Sequence, residues 1–195
     1  MEHTKGYKIG KKMIIESDFS VKSVKTLNGM DGLIINANIY YNNKIIGHII
    51  DDGWGGGIDV TYYTKVDGKL KRTSKNSDVD SFLSTLPNYR LGGVDEYNFD
   101  DEDLWNELIE EFLFIRDFKK SMKKIQVAHD GKIFSLVKDN KPHFLDKKYR
   151  YKGKNGISFR EIIKDKYGGC VILNDISSIK AMRLFRTHCY IAGGE

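Results

Sequence analysis

Residues 32–50 read GLIINANIYYNNKIIGHII, and their alternation decides the fold class. Leu33, Ile35, Ala37, Ile39 and Tyr41 fall on one face of an extended chain, because successive side chains of a strand point to opposite faces. Asn42-Asn43 is a tight turn, since Asn tolerates positive φ, and Lys44–Ile50 returns as a second strand. Beyond it, residues 51–57 form a glycine-rich loop and residues 58–66 a third strand. Asp67-Gly68, the preferred hairpin dipeptide, leads into Lys69–Thr73. The first seventy residues therefore read as β-structure, a meander of at least four antiparallel strands.

The middle of the chain turns helical. Asp78 is placed to cap a short helix over residues 79–86, stopped by Pro87. Asp100 precedes Asp101, Glu102 and Asp103, acids that suit the positive end of a helix. Leu104, Leu108, Phe112, Ile115 and Met122, joined by Trp105 and Ile109, recur at three- and four-residue spacing. Arg116, Lys119, Lys120, Lys123 and Lys124 close that helix at its negative end. Residues 125–128 and 132–137 flank Asp130-Gly131 as a second hairpin. Ser158-Phe159-Arg160-Glu161 is a capping box for a helix ended by Gly168-Gly169. Residues 170–173 form a short apolar strand, and 177–186 fit a helix or a bent strand. The elements make an α+β fold: an antiparallel meander, one long amphipathic helix and a smaller mixed C-terminal part. A single domain is expected, or two subdomains at 1–98, mostly β and acidic, and 99–195, mixed and basic.

The 195 residues carry 32 Lys and Arg against 27 Asp and Glu, a net charge of +5. That average hides a division. Residues 1–111 hold 13 cations and 19 acids, while residues 112–195 hold 19 cations and 8 acids. The halves thus differ in sign, −6 against +11, which says more about partners than the total does. No apolar run reaches the roughly 18 residues that a membrane span needs, and the first twelve residues hold no signal core. Cys170 and Cys189 make neither a disulfide framework nor a four-ligand zinc site by themselves. A soluble protein of the cytoplasm is expected, with no membrane partner and no cofactor.

Lys147-Lys148-Tyr149-Arg150-Tyr151-Lys152-Gly153-Lys154 is the strongest binding signal. Cations interleaved with tyrosines are the pairing that backbone phosphates and stacked bases want. If the tyrosines face a core instead, the cations merely guard a sheet edge. Asp51-Asp52-Gly53-Trp54-Gly55-Gly56-Gly57 is the second candidate. Its glycines could expose N–H groups to an anion and its aspartates could hold a divalent ion. It lacks the Lys and following helix of a P-loop. The competing reading is a bulged, positive-φ connection with Trp54 packed over it.

The remaining patterns carry less. Asp67-x-Lys69 and Asp130-x-Lys132 imitate half of a metal nuclease site but lie across hairpin turns. Ile39-Tyr40-Tyr41 with Ile46-Gly47 lacks the spacing of a GIY-YIG nuclease. His3, His48, His129, His143 and His188 have no partner at metal-ligand spacing, and no metal or catalytic residue is assigned. Asp95, Glu96, Asp100–Asp103, Glu107, Glu110 and Glu111 form an acidic stretch that could imitate phosphates to a basic partner.

The loop Asp52-Gly53-Trp54-Gly55-Gly56, Arg116–Lys120 before a hairpin, and Lys166-Tyr167-Gly168 followed by Ile172-Leu173-Asn174 resemble elements of a diffuse group of small, uncharacterised proteins of phages and mobile elements. The resemblance implies an accessory protein of such an element, acting in the cytoplasm of a host cell, and implies no activity. The leading expectation is a non-enzymatic protein that binds nucleic acid or a nucleic-acid-handling complex through its basic half. Its contacts would be Lys119, Lys120, Lys123 and Lys124 with Lys147–Lys154. The alternative is an inhibitor of a host defence nuclease, such as a CRISPR effector, with the acidic segment as mimic. A metal-dependent hydrolase or phosphoryl-transfer enzyme on Asp51, Asp52 and Asp59 ranks last.

Overall fold

A computed structural model describes residues 3–29, 31–90, 96–135, 137–138, 141–142 and 159–191. The chain divides into two compact units, Met1–Leu113 and Phe114–Glu195, so the boundary falls inside the long helix rather than before it.

Unit 1 opens with a helix, α1 (His3–Ile15), where a β-rich start was expected. The helix has no acid in its first turn and two glycines in its body, which hides it from periodicity and capping rules. Those glycines are points of close approach. A Cβ on Gly6 would lie 2.3 Å from the Asn88 carbonyl oxygen, and one on Gly10 would lie 2.2 Å from the Phe99 ring. Between them Tyr7 stacks on Phe99 with ring centroids 5.7 Å apart, and Ile14 is fully buried.

Five antiparallel strands follow in sequence order: β1 (Phe19–Asn28), β2 (Leu33–Tyr41), β3 (Lys44–Asp51), β4 (Asp59–Val66) and β5 (Lys69–Thr73). Asn42 and Asn43, and Asp67 and Gly68, take positive φ in the two-residue turns, as their sequences require. Ile35, Ala37, Ile39, Ile49 and Tyr62 line the inner face with Phe19 and Val21. Burial of Ile39 or Ile49 contributes about 1.5–3 kcal/mol each. A bulge in β1 interrupts the pairing between Lys22 and Lys25, with Ser23 at φ 56°. The extra residue restores parity, so both lysines share the outer face.

A short helix, α2 (Ser77–Leu83), is capped by Asn76, whose Oδ1 accepts from the Asp78 and Val79 amides at 3.0 and 3.3 Å. Asp78 was the expected cap, but it sits inside the first turn, where its charge suits the helix end instead. The helix also stops at Leu83, before Leu86 and Pro87. The long helix α3 (Asp101–Ser121) begins with a reciprocal cap: Asp100 Oδ1 accepts from the Asp103 amide at 2.9 Å, and Asp103 Oδ2 from the Asp100 amide at 3.3 Å. Leu104, Trp105, Leu108 and Ile109 of α3 join the inner sheet face in one core.

Unit 2 takes the last turns of α3, from which Phe114 and Phe118 pack on Phe185. Strands β6 (Gln126–His129) and β7 (Lys132–Ser135) form the expected hairpin, with Asp130 and Gly131 at positive φ. Two-residue strands β8 (Val137–Lys138) and β9 (Lys141–Pro142) pair with each other. Helix α4 (Phe159–Lys166) ends near Gly169 at φ 74°, and β10 (Val171–Ile172) pairs with β6. A 3-10 turn over Leu173–Asp175 precedes α5 (Ser178–Ile191), which is helical where the pattern fitted either helix or bent strand. The cap residue Ser158 lies outside the described residues. The fold is α+β.

Candidate nucleic-acid interface

Lys119 and Lys120 stand exposed in the last turn of α3, and Lys123 is exposed just beyond it, while Lys124 is half-buried. Burial of Phe114 and Phe118 on one side of the helix turns the lysines to the other. Asn174 fixes the chain that follows. Its Nδ2 donates to the carbonyls of Met122 and Lys124, both at 3.1 Å, and its Oδ1 accepts the Gln126 amide at 2.9 Å.

Among the described acids of unit 2, all but the exposed Asp165 are engaged. Asp117 pairs with Arg116 at 3.2 Å, Asp175 with Arg160 at 2.5 Å, Asp130 lies 3.2 Å from His129 Nδ1, and Glu161 is also engaged. Lys119, Lys120, Lys123, Lys132, Lys164 and Lys180 are exposed and form no ion pair among the described residues. The run Lys147, Lys148, Tyr149, Arg150, Tyr151, Lys152, Gly153 and Lys154 lies outside the described residues.

The glycine loop closes on itself. Asp51 Oδ1 accepts the Gly53 amide at 2.8 Å and Asp52 Oδ1 the Trp54 amide at 3.1 Å, so each aspartate caps its own turn. Gly53, at φ 72°, sits against Ile34, and its carbonyl accepts the Asp31 amide at 3.3 Å. Trp54 does not pack over the loop: it is 66 % exposed, because Gly55, Gly56 and Gly57 offer no side chain to cover it. Asp59 stands opposite Ile50 on the outer face of the sheet. No group of three His, Cys, Asp or Glu side chains that could hold a metal occurs among the described residues.

Much of the acidic stretch turns inward. Tyr62 donates to Asp101 Oδ2 at 2.7 Å, Tyr89 to Asp103 Oδ2 at 3.3 Å, and Tyr7 to Glu107 Oε1 at 2.6 Å. Glu107 is buried, with the Lys11 ammonium paired to its Oε2. Burial disfavours that ammonium, yet Glu107 and Glu110 hold its pKa above the ordinary value. Burial, more than any neighbour, pushes the Asp101 and Asp103 carboxyls above their usual range. Glu102 and Glu110 remain exposed, and Asp95 lies outside the described residues.

One surface was not singled out by sequence reasoning. The outer face of the five-stranded sheet carries Lys22, Lys25, Asn36, Asn38, Tyr40, His48, Tyr63 and Arg72, opposite the buried inner set. Lys22 Nζ lies 4.5 Å from the Tyr40 ring centroid, and His48 stacks on Tyr63 with centroids 5.7 Å apart. The alternation that marks the core face of β2 marks this face equally, but its membership depends on the bulge at Ser23 and on strand register.

Comparison of the chain with models of protein families, with curated proteins and with solved structures found no match. No helix among the described residues is long and apolar enough to cross a membrane.

Proposed function

We propose that the protein is a non-enzymatic accessory protein that binds nucleic acid, alone or within a nucleic-acid-handling complex, and that its basic unit 2 supplies the electrostatic contact. The observation that carries this reading is the unequal use of charge in that unit. Its fold engages Asp117, Asp130, Glu161 and Asp175 internally, and among the described residues leaves one acid, Asp165, against Lys119, Lys120, Lys123, Lys132, Lys164 and Lys180 exposed without an ion pair. Cations free of internal partners are those available to neutralise phosphates and release their counterions. The rival reading, an acidic nucleic-acid mimic, has less support, since Asp101, Asp103 and Glu107 are hydrogen-bonded within unit 1.

Salt titration of binding to fluorescein-labelled oligonucleotides tests the proposal. Affinity should fall linearly with salt on logarithmic axes. Replacing Lys119, Lys120 and Lys123 with Gln should make that slope shallower by about 0.7 for each single-strand phosphate that is no longer neutralised. The positions are exposed, so the variants should stay within about 0.5 kcal/mol of the parent in stability. Absence of binding at low salt, or affinity indifferent to salt, rejects the reading.

A further inference from the structure

We propose that the outer face of the five-stranded sheet in unit 1 is a binding surface for single-stranded nucleic acid, with Tyr40 and Tyr63 as stacking platforms and Lys22, Lys25 and Arg72 as phosphate contacts. The inference rests on the nucleic-acid reading above and adds to the basic surface of unit 2 a site within unit 1, with a strand preference.

The register sets this surface out. Ser20, Tyr40 and Ile45 are cross-strand neighbours, and Tyr63 stands opposite Arg72. One step along the strands, Lys22, Asn38, His48 and Thr61 form a row across β1 to β4, and Lys25, Asn36, Ile50 and Asp59 form the next. The five strands span roughly 19 Å at the usual 4.7–4.9 Å spacing, a breadth suited to an extended strand lying across them.

Charge identifies the ligand as an anion. Lys22, Lys25, Lys65 and Arg72 share the face with one carboxylate, Asp59. Lys25, Lys65 and Arg72 are exposed and form no ion pair among the described residues. The net acidity of residues 1–111 therefore does not extend to this side of the unit. Its acids cluster instead in α3, where Asp101, Asp103 and Glu107 take hydrogen bonds from Tyr62, Tyr89 and Tyr7.

The uncharged groups identify the anion. Tyr40 and Tyr63 are half-exposed in the midst of the cations, each already stacked on one side by Lys22 or His48. His48 Nδ1 lies 2.9 Å from the Tyr63 hydroxyl, which holds that ring in place before any ligand arrives. Preorganised rings need less ordering on binding. Asn36 and Asn38 add amides that can pair with base edges. The face also exposes the aliphatic side chains of Leu27, Ile45, Ile50 and Leu70. Rings, amides and cations set among apolar surface on an open sheet match unpaired bases, whose faces and edges are free; a duplex hides both.

Fluorescence anisotropy with a labelled poly-dT 20-mer, a poly-U 20-mer and a duplex of equal length tests the proposal at one low salt concentration. Single strands should bind more tightly than duplex. Tyr63→Leu and Tyr40→Leu should each weaken single-strand binding about five- to a hundredfold, the range that removal of one stacking ring spans. Arg72→Glu lies on an exposed position of β5, where folding is not at stake, and should weaken it severalfold with a shallower salt slope. Circular dichroism and thermal melts identify any unfolded variant, and Arg72→Glu then decides. Single-strand binding that survives all three variants but disappears when Lys119, Lys120 and Lys123 are replaced overturns this site and leaves the broader reading standing. A preference for duplex overturns it as well. No binding of any oligonucleotide at low salt overturns both.

Discussion

The Trp105 indole donates to the Tyr62 hydroxyl over 2.8 Å, and that hydroxyl donates in turn to Asp101 over 2.7 Å. The relay joins strand β4 to the first turn of α3, and both aromatic residues are fully buried. Tyr62→Phe keeps the ring and removes the link, so it leaves the indole N–H without its acceptor in a place water does not reach. An unsatisfied buried donor costs about 1–3 kcal/mol. Urea unfolding should show that loss with an unchanged denaturant slope. A variant as stable as the parent would mean the relay adds nothing.

Acid dependence follows from the same end of α3. Burial raises the Asp101 and Asp103 carboxyls above 3.8. A group with a raised carboxyl pKa binds protons more readily folded than unfolded, so stability falls as pH rises through the window above 3.8. Acidification into that window should therefore oppose the usual acid loss from these two groups. Measured by urea unfolding at successive pH values, Asp101→Asn should show a smaller decline in stability with rising pH than the parent. At the alkaline end, burial and then the Glu107 and Asp101 hydrogen bonds push Tyr7 and Tyr62 above the ordinary 10.0. The unfolded chain then loses those protons first, and stability should fall above that pH. Tyrosine absorbance should show both groups ionising only as the protein unfolds.

What the sequence disclosed and what it concealed have physical reasons. Alternation in Leu33–Tyr41 and the turns at Asn42-Asn43, Asp67-Gly68 and Asp130-Gly131 are local signals, and each stands where local rules put it. Helix α1 was hidden because Gly6 and Gly10 depress helix propensity while their value lies in close approach to residues 88 and 99. Strand β1 was hidden because its bulge breaks the alternation at Ser23. The inward turn of Glu107 needs Tyr7 and Lys11, which belong to that unrecognised helix. The basic end of α3 was legible as a run of cations closing the helix. The pattern through Phe112, Ile115 and Met122, however, marked residues that are half-buried, whereas Phe114 and Phe118 are the buried ones and Lys123 lies beyond the helix end. The outer sheet face was not, because a face is defined only once five strands are in register.

Gly6 offers a test of sign. In an exposed helix interior, Gly→Ala stabilises by about 1 kcal/mol through helix propensity. Here the new methyl would sit 2.3 Å from the Asn88 backbone oxygen, and backbone yields less easily than a side-chain tip. Overpacking of this kind costs about 1–3 kcal/mol. Gly6→Ala should therefore destabilise the protein on balance, measured by chemical denaturation. A stabilised variant would mean that α1 does not approach Asn88 this closely.

The two tryptophans occupy opposite environments, Trp54 at 66 % exposure and Trp105 at 0 %. Acrylamide should therefore quench one component of the native fluorescence readily and leave the other nearly untouched. Trp54→Phe should remove the quenched component alone. Its effect on stability should lie within about 0.5 kcal/mol, the usual range for a surface site without special interactions. The loop geometry leads to the same expectation, because the Asp52 turn is held by the residue 54 backbone amide and not by the indole. Asp52→Ala, which removes that acceptor, should cost more than Trp54→Phe. A Trp54 variant that is destabilised more than the Asp52 variant would show the indole to be a structural element of the loop.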